Sequence, residues 1–216
     1  MSSNTRLRIT EIFYSLQGES STSGLPTAFV RLTGCPLRCH YCDTAYAFQG
    51  GMWMEPDEIV NKIRGFGAIR VCVTGGEPLA QKNSKSLLTV LCDEGFDVSL
   101  ETSGAISIAG IDSRVSCVMD LKTPDSGEKD KNIMENLSIL TEKDQLKFVI
   151  CSREDYDWAK AVVAQNNLLG RMEILFSSSF NELPSRQLAD WIIEDNLQVR
   201  FQMQLHKLLW NDEPGH

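Results

Sequence analysis

The sequence predicts an α/β protein whose largely parallel sheet curves into an open, partial TIM-like barrel. Short β-branched runs alternate with amphipathic segments along the 216 residues, a pattern typical of parallel strands joined by right-handed helical crossovers. About six strand–helix units fit this length, whereas a closed eight-unit barrel takes roughly 250 residues. No linker or internal repeat interrupts the pattern, so we expect a single domain over residues 1–216.

Each predicted element follows from its local pattern. Eight runs rich in β-branched and aromatic residues predict strands, at residues 8–13, 28–32, 69–74, 97–101, 115–121, 145–150, 173–176 and 199–204. Five amphipathic segments predict helices, at residues 56–65, 84–94, 131–140, 153–165 and 183–195. Pro56 opens the first helix and Ser152 precedes the fourth, and both residue types are typical of helix starts.

Composition argues against several classes of protein. The chain is 42% hydrophobic and 23% charged, as ordinary globular proteins are. No apolar run approaches the ~20 residues that span a bilayer, and we expect no secretion signal at the N-terminus. A net charge of −8 with scattered basic residues argues against a nucleic-acid surface. Seven cysteines, an odd number, indicate a reducing compartment. We therefore expect a cytoplasmic protein that binds neither membranes nor nucleic acids.

Three cysteines stand close together, at Cys35, Cys39 and Cys42, with the spacing C-x3-C-x2-C. They follow directly on a predicted strand. Three thiolates can bind three irons of a cubane [4Fe–4S] cluster, whereas a closed electron-transfer cluster takes four. An iron without a protein ligand is open to substrate or cofactor, like the open position of a catalytic zinc. A zinc-stabilised binding module is the non-enzymatic alternative, although no second cysteine pair completes a four-ligand set.

A glycine-rich turn follows the next predicted strand, at Thr74-Gly75-Gly76-Glu77-Pro78. Two glycines allow a ligand to approach the backbone closely. The carboxyl ends of parallel strands meet at one edge of the sheet. We therefore expect this turn to lie beside the cysteine loop.

Together, the cysteine loop and the glycine turn resemble the radical S-adenosylmethionine superfamily. Within it, the chain resembles the 7-carboxy-7-deazaguanine synthase family, the ring-contracting enzymes of queuosine (7-deazapurine) biosynthesis. Five further segments occur in the family's order, at residues 15–19, 29–32, 42–44, 101–104 and 204–207. The resemblance implies a β6/α3 partial barrel, a [4Fe–4S] cluster on the three cysteines, and S-adenosylmethionine bound at the free iron.

The resemblance implies binding roles for residues of several loops. For the cofactor these are Tyr41, Cys42, Asp43, Gly76, Glu77, Ser103, Asp120, Leu121 and Lys122. Asp120 stands where many family members carry serine. For the substrate they are Leu16, Gln17, Gly18, Glu19, Arg31, Thr74, His206 and Pro214. Thr44 is implied as a ligand of Mg²⁺.

The implied substrate is 6-carboxy-5,6,7,8-tetrahydropterin, which loses ammonia as its ring contracts to give 7-carboxy-7-deazaguanine. The residue chemistry suits it, because Gln17 and Glu19 match the mixed donors and acceptors of a pterin edge, and Arg31 offers a planar fork for a carboxylate. Without the family, Glu19 is a loop acid and His206 a packing residue. We expect a flavodoxin- or ferredoxin-type electron donor and a homodimer. The enzymatic alternative is a radical activase that installs a glycyl radical on a partner protein.

Overall fold

The computed structural model describes residues 5–211, 213 and 215, and its nine strands form one sheet. The strands are β1 (Leu7–Leu16), β2 (Pro26–Leu32), β3 (Met52–Met54), β4 (Arg70–Gly75), β5 (Asp97–Thr102), β6 (Ser116–Asp120), β7 (Gln145–Ile150), β8 (Glu173–Ser178) and β9 (Arg200–Gln202). Their order is β3-β1-β2-β4-β5-β6-β7-β8-β9. β1 pairs antiparallel with β2 and β3, and all neighbours from β2 to β9 run parallel. The prediction of a largely parallel, open sheet is confirmed.

Four helices pack on the sheet and bury their apolar faces against it: α1 (Pro56–Gly65), α2 (Ser84–Asp93), α3 (Arg153–Gln165) and α4 (Ser185–Glu194). A fifth helix, α5 (Leu205–Trp210), is short and leaves Leu208 and Leu209 exposed. Pro56 opens α1, and the Ser152 hydroxyl accepts a hydrogen bond from the N–H of Asp155 at the start of α3, as these residue types predict. No helix in the described part of the chain is both long and apolar enough to cross a membrane.

The predicted helix over residues 131–140 is wrong. This segment folds as two short 3₁₀ turns, Lys129–Lys131 and Met134–Ser138. The Asn132 side chain exchanges two hydrogen bonds with the backbone of Lys122, at 3.0 and 2.8 Å. The Asn136 side chain donates to two carbonyls of the loop after β5. Amide side chains that bond to backbone elsewhere compete with a regular helix, and here they anchor the segment to the ends of β5 and β6.

Two short elements were not predicted. β3 is a three-residue edge strand paired with the start of β1. α5 begins at Leu205, so the last strand ends at Gln202 and not at residue 204 as expected. Its first turn carries His206 into the mouth of the barrel, at the edge of the cleft described below.

The loop between β1 and β2, residues 17–25, crosses the open side of the barrel; we call it the hairpin loop. The N–H of Ser21 donates to the side chain of Gln145 in β7 at 2.7 Å, and the side chain of Gln202 in β9 donates to the carbonyl of Ser20 at 3.0 Å. These bonds join the first hairpin to the last strands of the sheet, so one wall of the barrel interior is built by this loop.

Candidate active site

A cleft of about 270 Å³ opens at the carboxyl ends of the parallel strands. Most of the residues predicted for the site line it: Leu16, Gln17, Gly18, Glu19, Arg31, Cys35, Cys39, Tyr41, Cys42, Asp43, Thr44, Thr74, Gly76, Ser103, Asp120, Lys122 and His206. Glu77 and Leu121 are fully buried and lie outside the cleft wall. Pro214 lies outside the described residues. Residues spread from the first strand to the last helix therefore meet in one cavity, as the resemblance implies.

Backbone hydrogen bonds hold the cysteine loop against the glycine turn. The N–H of Glu77 donates to the carbonyl of Gly34 at 2.8 Å, and the N–H of Gly76 donates to that of Leu32 at 3.1 Å. A Cβ on Gly76 would lie 2.3 Å from the Gly34 oxygen and 2.8 Å from the Cβ of Cys35. Only glycine permits so close an approach, so this residue brings the turn directly against the first cysteine.

The Glu77 side chain lies behind this turn. Its carboxylate accepts hydrogen bonds from the hydroxyls of Thr102 and Ser103, at 2.6–3.0 Å, and from the N–H groups of Ser103 and Leu79. A fully buried carboxylate needs several such donors, because burial strongly disfavours its charge. Glu77 therefore supports the turn by joining it to the end of β5.

The three thiols fit a cubane cluster better than a single metal ion. Burial raises the pKa of Cys35, and it raises the pKa of Cys39 to about 11 although the nearby Lys122 ammonium opposes this. All three cysteines of the loop line the cleft. Each thiolate of a cubane binds a different iron, whereas the ligands of a zinc ion must all meet at one centre. The donor set thus suits a [4Fe–4S] cluster.

Four charged side chains of alternating sign line one wall of the cleft. Glu19 pairs with Lys147, whose ammonium lies 3.5 Å from Asp120, and Asp120 lies 3.2 Å from Lys122. Their side chains are only 10–18% exposed. Burial opposes the charge of both lysines, yet the carboxylates outweigh it and raise the pKa of Lys122 and Lys147 well above the usual range. Burial likewise opposes the charge of Asp120, but the two ammonium groups lower its pKa. All three therefore stay charged.

Two buried polar atoms of the cleft have no hydrogen-bond partner among the described residues: the hydroxyl of Tyr41 and Oδ1 of Asp120. The Lys122 ammonium lies 5.6 Å from the Tyr41 ring centre. Buried polar atoms are almost always hydrogen-bonded. These two atoms, close to the cysteine loop, are therefore suited to the polar groups of a bound ligand.

Arg31 projects from β2 into the same cleft. Its Nε donates to Glu11 at 2.7 Å, and the same carboxylate oxygen accepts a bond from the Tyr46 hydroxyl at 2.8 Å. The guanidinium also lies 5.8 Å from the ring centre of Phe13 and 5.9 Å from that of Tyr46. Its two terminal nitrogens make no hydrogen bond within the described chain. Arg31 is therefore rigidly held with its fork available to a carboxylate ligand.

Further contacts link other polar residues that line the cleft. Glu101 accepts hydrogen bonds from Thr74 at 2.8 Å and from Gln17 at 3.3 Å. Asp43 pairs with Lys207 at 3.0 Å. Burial alone would raise the pKa of Asp43, but the Lys207 ammonium lowers it.

His206 packs closely on the hairpin loop. A Cβ on Gly18 would lie 2.2 Å from Nδ1 of His206, and the N–H of Leu205 donates to the carbonyl of Gly18 at 2.9 Å. The glycine at this position therefore allows α5 to close one side of the cleft.

Sequence reasoning missed several residues of the cleft or its support: Glu11, Tyr46, Glu101, Lys147 and Lys207. Lys147 carried a usable signal, because it interrupts the apolar strand residues Leu146 and Phe148, and lysine is rarely buried unless it is paired. Glu101 and Lys207 lie in segments that carry the family resemblance but were given no role, and Glu11 and Tyr46 give no comparable signal.

Comparison with known proteins agrees with this geometry. Residues 29–111 match the Radical SAM superfamily. The 7-carboxy-7-deazaguanine synthase of Chlorobaculum tepidum is 45% identical over 216 residues, covering 99% of this chain and 98% of that protein. The enzyme of the same name from Koribacter versatilis is 40% identical, with 96% and 98% covered. The crystal structure of QueE from Escherichia coli has the same fold, with a TM-score of 0.78 at 22% identity over 95% of this chain and 100% of that one.

Neither a zinc-stabilised module nor a glycyl-radical activase accounts for identity that runs through the whole chain. The full-length relatives, the open barrel and the three-thiol cleft lead to one assignment. The chain belongs to the 7-carboxy-7-deazaguanine synthase family and is a radical S-adenosylmethionine enzyme, which uses a [4Fe–4S] cluster and catalyses a ring contraction on a small-molecule substrate.

Proposed function

We propose that the protein converts 6-carboxy-5,6,7,8-tetrahydropterin to 7-carboxy-7-deazaguanine and ammonia, with the cofactors bound at one end of the cleft and the substrate at the other. Cys35, Cys39 and Cys42 hold the cluster at one end, and Arg31 binds the substrate carboxylate at the other. The observation that carries the proposal is that three thiols and a rigidly held, partly unpaired guanidinium line a single cavity.

At the cofactor end, the chain holds and shields the reactive group. When bound, the cluster and S-adenosylmethionine would together supply the radical chemistry that acts at carbon 6 of the substrate. The backbone of Gly76 receives the methionine amino group, and the segment from Tyr41 to Asp43 receives the adenine. Asp120 and Lys122 meet the ribose or carboxylate, which is supported by the unpartnered Oδ1 of Asp120.

Three further cofactor residues have more modest roles. Ser103 donates its hydroxyl proton to Glu77 and keeps acceptor capacity for the cofactor. Glu77 and Leu121 are buried, so we propose that they support the cofactor through the glycine turn and through the backbone beside Asp120.

At the substrate end, several groups fix the orientation of the pterin. Gln17 and Glu19 bind its donor and acceptor edge, while Thr74 and His206 contact its body or carboxylate. Leu16 and Gly18 form the adjacent wall. Anchoring both the pterin edge and the carboxylate leaves carbon 6 in one position, and such positioning accounts for a large part of enzymatic rate enhancement.

Mg²⁺ is proposed to bind where the two ends meet, at Thr44. The Thr44 hydroxyl lines the cleft and lies 3.8 Å from the sulfur of Cys42. The neighbouring Asp43 is already paired with Lys207. One hydroxyl, the substrate carboxylate and retained waters suit an ion that gives up its hydration reluctantly.

We also propose the setting in which the enzyme works. One sheet runs from β3 to β9, which supports a single radical SAM domain over residues 1–216. The described cysteines are all free thiols, which supports a reducing, cytoplasmic compartment. The electron donor is a flavodoxin- or ferredoxin-type protein, since the chemistry needs one low-potential electron at a time. A homodimer is the commonest oligomer of soluble enzymes.

The test is an anaerobic assay of the reconstituted, reduced enzyme with S-adenosylmethionine, Mg²⁺ and 6-carboxytetrahydropterin, analysed by mass spectrometry. We expect 7-carboxy-7-deazaguanine only when all components are present. Formation of 5′-deoxyadenosine without that product would contradict the proposed substrate while leaving the radical chemistry in place.

A further inference from the structure

Lys147 is a buried cation of the cleft that belongs to none of the sequence motifs. It projects from the middle of β7, its side chain is 12% exposed, and it lines the cleft. Its ammonium pairs with the carboxylate of Glu19 and lies 3.5 Å from Oδ2 of Asp120. One side chain thus contacts both the predicted pterin-binding acid and the predicted cofactor-binding acid.

The two carboxylates reach Lys147 from different parts of the fold. Asp120 ends β6 and is the cross-strand neighbour of Lys147. Glu19 lies in the hairpin loop, which crosses to β7 from the opposite side of the barrel. Lys147 is the only cation that pairs with Glu19 among the described residues. The position of the Glu19 carboxylate therefore depends on this one contact.

Removing Lys147 would leave Glu19 without a counter-charge in a buried wall. Asp120 would keep Lys122 as its partner, 3.2 Å away, whereas Glu19 would keep none among the described residues. Breaking a buried pair from one side leaves an uncompensated charge, which is strongly unfavourable. The Glu19 side chain would then turn away from this wall, toward solvent. A carboxylate turned toward solvent no longer faces the ligand.

We propose that Lys147 is a positioning residue for the substrate, which holds the Glu19 carboxylate in place and directed at the N–H groups of the pterin edge. This inference rests on the proposed role of Glu19 in substrate binding. The ligand chemistry that such a carboxylate selects is a planar, amidine-like edge with adjacent N–H donors, as in 2-amino-4-oxopteridines. Contact with Asp120 links this edge-binding group to the cofactor end of the cleft.

The experiment compares five variants of the reconstituted enzyme: Lys147→Met, Lys147→Arg, Glu19→Gln, the double variant with Glu19→Gln and Lys147→Met, and Lys160→Met. The last is the matched control, since Lys160 forms an ion pair with Asp195 at 2.6 Å on the surface and outside the cleft. KM and kcat are measured anaerobically, together with the affinity for the stable, fluorescent analogue 6-carboxypterin.

For Lys147→Met we expect the substrate KM to rise by about 30-fold or more, as when a buried charge loses its partner, with a smaller change in kcat. Lys147→Arg keeps the charge and should stay within several-fold of the wild type, and Lys160→Met should match it. Because Lys147 acts through Glu19, adding Lys147→Met to Glu19→Gln should change KM little further. A merely structural lysine would produce additive effects instead.

Additive effects in the double variant, or a KM for Lys147→Met no higher than for Lys160→Met, would overturn the proposal. So would equal losses in Lys147→Arg and Lys147→Met. If Lys147→Met fails to fold, two comparisons still test the proposal. The KM of the double variant, in which both charges are removed, is compared with that of Glu19→Gln, and the KM of Lys147→Arg is compared with that of the wild type. A wild-type enzyme that binds 6-carboxypterin but makes no deazaguanine contradicts the proposed reaction alone, and the binding titration then tests Lys147. Failure to bind any pterin overturns both.

Discussion

The two ends of the cleft are built by different kinds of contact. At the proposed cofactor end, backbone hydrogen bonds and a glycine that admits no Cβ hold the cysteine loop against the glycine turn, and the one charged pair there is Asp120 with Lys122 among the described residues. At the proposed substrate end, ion pairs between side chains hold the binding groups in place: Glu11 with Arg31, and Glu19 with Lys147. A cofactor common to a whole superfamily can be received by backbone geometry. A particular substrate needs particular side chains, so the proposed roles place specificity at the second end.

Cys39→Ala should have the largest effect on activity, because it removes a cluster ligand at the cofactor end and leaves the residues of the substrate end unchanged. Loss of one of three cluster ligands is expected to abolish 5′-deoxyadenosine and product formation, because no other cysteine of the cleft can replace it. Iron and sulfide content, with both products measured by mass spectrometry, checks this. Cys92→Ala, which removes a buried sulfur of α2 outside the cleft, is the control and should keep the cluster. Turnover by Cys39→Ala would refute the cluster assignment.

Arg31→Ala should have the opposite pattern, in which substrate binding is lost and the cluster is kept. The cluster should assemble normally, while substrate binding weakens by about 2–5 kcal/mol because a buried carboxylate partner is lost. The measurements are iron content and substrate KM. Arg70→Ala is the matched control, since Arg70 pairs with Asp97 on the surface at the start of β4. An unchanged KM in Arg31→Ala would show that the substrate carboxylate binds elsewhere.

Gly76→Ala tests the backbone-built end directly. Its Cβ would meet the Gly34 carbonyl oxygen and Cys35, so the turn must shift, at a cost of about 1–3 kcal/mol in unfolding free energy. Chemical denaturation of the cluster-free protein measures this, and S-adenosylmethionine affinity should fall in parallel. At Gly65, where no atom lies within 4 Å of an added Cβ, the alanine variant should be neutral or slightly stabilising. Equal stabilities of the two variants would argue against the close approach.

Thr44→Ala should have the smallest effect, at the junction of the two ends. Loss of one hydroxyl ligand is expected to weaken the response to Mg²⁺ by about tenfold, because water can take its place. The activity is titrated with Mg²⁺ after treatment with a chelator. Thr44→Ser keeps the hydroxyl and should respond like the wild type. If the Ala variant showed the same Mg²⁺ dependence, the metal would not bind at Thr44.

The difference between the two ends also explains which residues could be predicted from the sequence. The cysteine loop and the glycine turn are local patterns, and their position at strand ends follows from the α/β alternation. The partners Glu11 and Lys147 were missed because each acts on a residue from another strand or loop, and a sequence does not show which charges will meet. The confirmed family accounts for the prediction of Gln17, Glu19 and His206, which have no distinctive local signal.

The wrong helix over residues 131–140 has a related cause. Its apolar spacing was compatible with a helix, and propensity alone does not exclude one. Asn132 and Asn136 instead bond to backbone of the loops after β6 and β5. Tertiary hydrogen bonds decided the local structure, and such bonds are invisible until the neighbouring strands are placed.

The contacts of the hairpin loop bear on the order in which parts of the cleft can form while the chain is being synthesised. The glycine turn meets the cysteine loop within the first half of the chain. Glu19 and Lys147, by contrast, are separated by 128 positions, and Ser20 and Gln202 by 182. Such distant contacts form late, because a long loop must close first. A growing chain can therefore bring the cysteine loop against the glycine turn before Glu19 meets Lys147, and the last strand to emerge from the ribosome completes the contacts of the hairpin loop.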